Sequence, residues 1–298
     1  MIVQAADARR GFLLGALGVL IFSMTLPMTR LAVGDSADPQ LPPAFVTAGR
    51  AVVAGLLSIG YLLVVGAPRP ARRHWPALAL SGLGTVVGFP LFLALALRRV
   101  DAMHAAVVTG VLPLGTAVAG ALLLSHRPSA GFWVCAGVGC ALVIGYAAWA
   151  GSGALSAGDG LLLLAVLCAS FGYVGGARAA ASMPAEHVIS WILVAALPLT
   201  LPAALWVSPQ SPATGAAWLG FAYVSLFSMW LGFFAWYRGL ALGGVVRVSQ
   251  VQLLQPFLAL LFAVPVLGEH LDPVSMVFAL AVMAVVFIGR KMPAARPA

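Results

Sequence analysis

The chain has 298 residues, of which 62% are hydrophobic and 8% charged, with a mean hydropathy of +1.05. A soluble domain carries roughly 25% charged residues, so a single water-soluble globular enzyme is excluded. A net charge of +8 would suit a nucleic-acid binder among soluble proteins. In a chain this apolar it is a topology signal instead, and no nucleic-acid partner is expected.

Apolar runs bounded by charges or Pro/Gly clusters predict spanning helices at 11–33, 43–66, 75–97, 102–124 and 129–149, and again at 157–178, 186–207, 213–237, 244–267 and 273–289. Each has the length of about 20 residues that crosses a bilayer, and the connections are too short for a soluble domain. The expected fold class is therefore all-α integral membrane with ten transmembrane helices. The first run follows Arg9 and Arg10 but is too long for a cleaved signal peptide, and further spans follow it. Cys135, Cys140 and Cys168 lie inside apolar runs, and their odd number argues against a disulfide framework or a metal site. No cofactor is expected. Arginine outnumbers lysine, of which Lys291 is the sole example, and alanine and glycine are abundant. That bias points to a GC-rich bacterial gene and hence to the inner (plasma) membrane.

With the N-terminus inside, the inner segments hold Arg9, Arg10, Arg69, Arg72, Arg73, Arg127, Arg178, Arg238, Arg247, Arg290, Lys291 and Arg296. The outer segments hold Arg30, Arg98 and Arg99, and Arg50 falls within a span. This bias puts both termini in the cytoplasm. The same topology puts Asp35, Asp38, Asp101, Asp159, Glu269 and Asp272 outside or at helix ends, and Asp7 and Glu186 inside. No acid falls in the middle of a span. Proton-driven antiporters usually carry an ionisable group there, so transport is expected to be facilitative. Arg98 and Arg99 are expected to pair with nearby Asp101, and His104 and His126 to be interfacial.

The halves resemble one another. Val111-Leu112-Pro113-Leu114 and Leu122-Leu123-Leu124-Ser125-His126-Arg127 correspond, 143 positions on, to Leu254-Gln255-Pro256-Phe257 and Pro265-Val266-Leu267-Gly268-Glu269-His270. The first spans correspond through Gly11…Phe22-Ser23 and Gly160…Phe171-Gly172. Five spans per half is an odd number, so the second copy must be inverted. Residues 1–150 and 151–298 are thus expected to form two inverted five-helix repeats, an arrangement common in secondary transporters.

Phe22-Ser23-Met24-Thr25…Arg30 resembles the tryptophan–glycine–serine–asparagine…lysine motif in the first helix of the drug/metabolite transporter superfamily, EamA type. Arg50 matches that family's arginine in its second helix. Ala96-Leu97-Arg98…Pro113…Leu124 is similar to its third and fourth helices, and Leu267-Gly268-Glu269-His270-Leu271 to its leucine–glycine–glutamate–arginine–leucine signature. The resemblance covers about residues 11–290. Two departures are Ser125-His126-Arg127 in place of glycine–glutamate–arginine, and Phe22 in place of tryptophan. Within the family the chain looks most like the bacterial aromatic-amino-acid exporters. The resemblance implies export of small metabolites, amino acids first among them, and brings Thr25 and Glu269 into the list of site residues.

Pro113 and Pro256 lie near the middle of their spans, where a proline removes a helix hydrogen bond; each either kinks its helix or lines a cavity. Ser249, Gln252 and Pro256 share one face of the ninth span, and Thr109 is the repeat partner of Gln252. That polar face meets either a ligand or another helix. Phe227, Trp230, Phe234 and Tyr237 form a stripe on the eighth span that is either packing or a ligand wall, as are Tyr173 and Phe89. Gly84-x-x-x-Gly88 and Gly172-x-x-x-Gly176 offer small faces for close helix contact. Arg50 is expected at the outer boundary, paired with Asp35 or Asp38; the sharper alternative is that it attracts a substrate carboxylate. The substrate-binding candidates are thus Thr25, Phe89, Thr109, Pro113, Tyr173, Trp230, Ser249, Gln252 and Pro256, with Arg50 and Glu269 structural or gating.

A membrane-embedded enzyme would need a zinc motif, paired midplane carboxylates or a nucleophile elbow. The sequence contains none, so no catalytic residues are expected. ATP-driven transport needs a Gly-x-x-x-x-Gly-Lys loop, which is absent. The expectation is an alternating-access secondary transporter of amino acids, aromatic or other neutral, acting as a monomer in the lipid bilayer. Efflux of other amphipathic metabolites or drugs is the alternative.

Overall fold

The computed structural model describes residues 2–123, 129–150, 155–180, 182–243 and 249–291. Ser125, His126, Arg127, Arg247 and Arg296 lie outside the described residues. Eight helices there are long and apolar enough to cross a membrane: α1 (Arg9–Val33), α2 (Pro43–Val64), α3 (Arg72–Leu97), α4 (Ala102–Leu123), α5 (Ala130–Ala150), α6 (Ala157–Ala180), α7 (Ala185–Trp206) and α8 (Gly215–Gly239). Two shorter apolar helices follow, α9 (Gln255–Leu267) and α10 (Pro273–Gly289). The chain is a multi-pass membrane protein whose polar backbone is satisfied within helices, as hydrocarbon demands.

Helix neighbours are set by small residues. Gly239 on α8 approaches Gly15 on α1, and Gly84 on α3 approaches Gly172 on α6, as the two Gly-x-x-x-Gly faces suggested. α1 packs on α8 and α6 on α3, while α2 pairs with α7, α4 with α9 and α5 with α10. Exchanging each helix with the one five positions on returns the same set of neighbours.

Two π segments interrupt the ladders of α3 and α8, at Gly82–Gly88 and Val224–Leu231. Bonds from i to i+5 are rare and gather at functional sites. Moving the first segment on by 143 positions lands it inside the second.

The two central prolines sit at breaks in the helical hydrogen-bond ladder. α4 stops at Thr109 and restarts at Leu112, with Pro113 in the first turn of the new segment. Ser249–Leu254 is a 3-10 turn, and Pro256 sits in the first turn of α9. Proline is at home in a first turn because that N–H has no helical acceptor. Each of Pro113 and Pro256 thus opens a helical segment at a break, and both line the cavity described below.

Asp35, Asp38, Asp101, Asp159, Glu269 and Asp272 gather at one end of the bundle, the acidic end. There Arg30 donates to the Leu97 carbonyl, to the Val100 carbonyl at 3.1 Å, and pairs with Asp35 and Asp101 at 3.5 Å each. Asp101 therefore pairs with Arg30, whereas Arg98 donates to the carbonyls of Val33, Gln40 and Leu41. His104 shares a 2.5 Å hydrogen bond with Asp159, joining α4 to α6. Thr214 at the start of α8 donates its amide to Gln40. The opposite end is tied by Arg238 to Glu186 at 3.3 Å and by Ser182 to His74 at 3.2 Å.

Arg30→Gln is expected to cost about 1–2 kcal/mol. The two carboxylates are 41% and 72% exposed, where ion pairs contribute little; the lost carbonyl bonds supply most of the loss. Thermal unfolding in nanodiscs checks this, and a loss that vanished in 1 M salt would assign the effect to the ion pairs instead.

Candidate functional site

A cavity lies where the helix breaks and the π segments meet. It is lined by Phe22, Thr25 and Leu26 of α1, Arg50 of α2, and Thr85, Phe89 and Pro90 of α3. α4 adds Ala106, Thr109, Gly110, Leu112 and Pro113, and α6 adds Ala169 and Tyr173. Ser228, Met229 and Phe233 of α8, Leu253, Gln255, Pro256 and Ala259 on and before α9, and Met283 of α10 complete it. It leaves about 60 Å³ for the centres of water molecules, room for about four to six waters.

The polar groups are few and converge. Thr25 Oγ1 and Ser228 Oγ share a hydrogen bond of 2.8 Å, and Arg50 Nη2 donates to Ser228 Oγ at 2.9 Å. Thr109 Oγ1 donates to the Ala105 carbonyl at 2.7 Å and Thr85 Oγ1 to the Ser81 carbonyl at 2.8 Å, both one turn back on their own helices. Phe22 and Phe233 meet edge to face at 5.1 Å. Among the described residues, the lining contains one cation, four hydroxyl-bearing partners in Thr25, Thr85, Thr109 and Ser228, one tyrosine, the Gln255 amide and no carboxylate.

Of the candidate residues, the structure brings Thr25, Phe89, Thr109, Pro113, Tyr173 and Pro256 together around this cavity. Trp230 stands apart from it. Its ring packs on Phe234 at 5.0 Å, and its Nε1 is buried without a hydrogen-bond partner. The π segment explains the difference: wider turns alter the phase of α8 from the α-helical wheel, so Ser228 and Met229 face inward instead. The side chains of Ser249 and Gln252 lie outside the described residues; their neighbours Leu253 and Gln255 line the cavity.

Arg50 departs furthest from expectation. It is only 3% exposed, lines the cavity, and pairs with neither Asp35 nor Asp38. Arg30, one turn from the end of α1, takes Asp35 instead. Glu269 is not part of the cavity lining and stands instead beside Arg30, Asp35 and Asp101. Its two carboxylate oxygens accept the amides of Ala102 at 2.8 Å and Met103 at 2.9 Å, the first free N–H groups of α4. The loop after α9 is thereby clamped to the start of α4.

Sequence reasoning missed Ser228, Met229, Thr85 and Phe233. One signal was available: Thr85 and Ser228 are 143 positions apart, the offset at which the two halves of the sequence were aligned, and both are polar groups within apolar runs.

An apolar bundle whose helix breaks converge on a small cavity with a few polar groups is the setting in which secondary transporters hold a solute, and comparison with known proteins identifies the class. The chain belongs to the EamA-like transporter family, whose model matches twice, at residues 9–147 and 156–289. It is 44% identical over 283 residues to the uncharacterized transporter YdeK of Bacillus subtilis (strain 168), covering 94% of this chain and 97% of that one. A solved crystal structure of a protein 21% identical superposes with a TM-score of 0.64, covering 93% of this chain and 95% of its own, so the two share a fold. The protein is a transporter and not an enzyme.

Proposed function

We propose that this transporter exports small metabolites, amino acids foremost, aromatic or other neutral, by alternating access without ATP. It works as a ten-helix unit of two inverted five-helix repeats, residues 1–150 and 151–298, in the bacterial inner membrane with both termini cytoplasmic. A single chain holds both repeats, and a monomer is complete.

The observation that carries this reading is the cavity itself, which lies at the junction of the breaks in α4 and α9 with the π segments of α3 and α8. The helix neighbours are unchanged when the halves are exchanged, and the family match occurs once in each half. Both support a repeat interface, where secondary transporters hold their substrate. Aromatic walls from Phe89, Tyr173 and Phe233 beside Thr25, Thr109 and Ser228 suit a flat solute with one polar end. Thr25, Phe89, Thr109, Pro113, Tyr173 and Pro256 are its contacts, with Ser249 and Gln252 on the approach to Pro256. The clamp formed by Glu269 acts as a gate at the acidic end.

Counterflow in proteoliposomes tests the proposal with phenylalanine, tryptophan, threonine and a cationic dye. Saturable exchange of an amino acid is expected. Saturable flux of the dye with none of the amino acids would replace it with the alternative, efflux of other amphipathic compounds.

A further inference from the structure

Arg50 is a buried guanidinium with an incomplete set of partners. Of its five N–H donors, Nη2 meets Ser228 Oγ, and its Nε is buried with no hydrogen-bond partner. The ion pairs among the described residues are Arg30 with Asp35 and Asp101, His104 with Asp159, and Arg238 with Glu186. None involves Arg50. A buried charge with no opposite charge is expensive and is usually paired or functional. Here the charge stands on the wall of a cavity whose described lining residues include no acid.

The cavity is also asymmetric in charge. Thr85 and Ser228 are related by the alignment offset of 143, yet only Ser228 has a guanidinium beside it; the position 143 after Arg50 is Leu193. One polar pole is thus built where Arg50, Ser228 and Thr25 meet, and the other walls are aromatic, apolar or neutral.

We infer that Arg50, with Ser228 and Thr25, is an anion subsite that takes the carboxylate of the transported solute, and that the ammonium of an amino acid is not required for recognition. The inference rests on the proposed transport of small metabolites and names their obligatory group. Arginine's planar fork matches a carboxylate, with two N–H groups able to meet two oxygens. Ser228 already accepts from Arg50, so its own hydroxyl hydrogen is free for Thr25 or the incoming oxygen. An ammonium finds no opposite charge among the described lining residues, which offer it only neutral oxygens and aromatic rings. The site therefore ranks carboxylates without an amine beside amino acids and rejects amines without a carboxylate.

Purified full-length protein in nanodiscs, titrated calorimetrically with 3-phenylpropionate, phenylalanine, phenethylamine and sodium chloride, tests this. Expected is saturable binding of 3-phenylpropionate and phenylalanine within about tenfold of one another, with phenethylamine at least tenfold weaker. Arg50→Gln should weaken both carboxylates about 10- to 100-fold, the worth of a charge-assisted hydrogen bond, and Arg50→Lys by less. Ser228→Ala and Thr25→Val, which leave the charge in place, should weaken them about threefold to tenfold and serve if Arg50→Gln does not fold. Chloride that binds through Arg50 but does not compete with 3-phenylpropionate would show a resident inorganic anion and overturn the inference. Equal affinity for phenethylamine, binding indifferent to Arg50, or no anion binding at all would also overturn it. Counterflow separates the two readings. Phenylalanine exchange that ignores Arg50 sinks the subsite and leaves the transporter reading standing. Arg50-dependent binding of carboxylates, none of which is exchanged, does the reverse.

Discussion

Gly84→Val is expected to leave little folded protein. A Cβ at position 84 would sit 2.3 Å from the Cys168 carbonyl oxygen and 2.5 Å from the Gly172 Cα. Both are backbone atoms of α6, so no rotamer change relieves the clash. The reciprocal position has the same problem, since a Cβ on Gly172 would meet Gly84 Cα at 2.9 Å and Thr85 Cγ2 at 2.8 Å. The helices would have to part by about 1 Å to restore ordinary contact distances. Between membrane helices close packing is the main attraction, because lipid is as apolar as the side chains. Overpacking costs about 1–3 kcal/mol where side chains can yield; against backbone the loss should be about 4 kcal/mol or more. The π segment that carries Thr85 into the cavity would move with it. Gly160→Ala is the control, because nothing lies within 4 Å of its added Cβ. Size-exclusion profiles and thermal unfolding in nanodiscs measure both, and a Gly84→Val protein with an unchanged melting temperature would remove the α3–α6 contact from this account.

Glu269→Ala should open the acidic end of the bundle. Two amides in the first turn of α4 lose an ionised acceptor, each bond being worth about 1.5–3 kcal/mol, with about 0.3–1 kcal/mol more from the helix dipole. Some of this returns as water reaches the freed amides, so a net loss of about 2–4 kcal/mol is expected. Under alternating access that energy belongs to the state closed at this end, and its loss shifts the population toward the open one by a factor on the order of 10². In a background lacking Cys135, Cys140 and Cys168, a Thr109→Cys reporter should react faster with a membrane-impermeant thiol reagent added from the acidic side. Unchanged reactivity would make Glu269 a structural cap and no gate.

The same residue carries a pH signature. Burial raises the Glu269 carboxyl above the ordinary glutamate range, opposed by the amides of Ala102 and Met103 and by Arg30, and assisted by Asp101. The folded protein therefore holds that proton more tightly than the unfolded chain. Stability from this group is full below the ordinary value and is lost as pH rises through the raised one. Glu269→Gln keeps an acceptor and removes the titration. Melting temperatures of the two proteins should diverge across that window, with the wild type losing more as pH increases; parallel curves would contradict the shift.

The amino-acid sequence alone determined that the chain is an all-helical, multi-pass membrane protein, and it marked the glycine faces that let helices come close. Hydropathy sums residue by residue along a segment, so a run such as Ala157–Ala180 declares itself without its neighbours. Gly84 and Gly172 were legible for a similar reason, since only small residues allow two backbones to meet. Tertiary structure decided what the polar residues do. Whether Arg50 meets Asp35 or Ser228 depends on which helix lies beside α2, and pairing energies between distant segments leave no mark on local pattern. The π segments were invisible because their i to i+5 bonds are imposed by packing, and they turned Ser228 rather than Trp230 toward the cavity. Pro256 announced a break, but only the folded chain showed it starting a helix, with the 3-10 turn of Ser249–Leu254 before it. Solvent sets the spans one residue at a time, while the site is made by contacts between residues far apart in the chain.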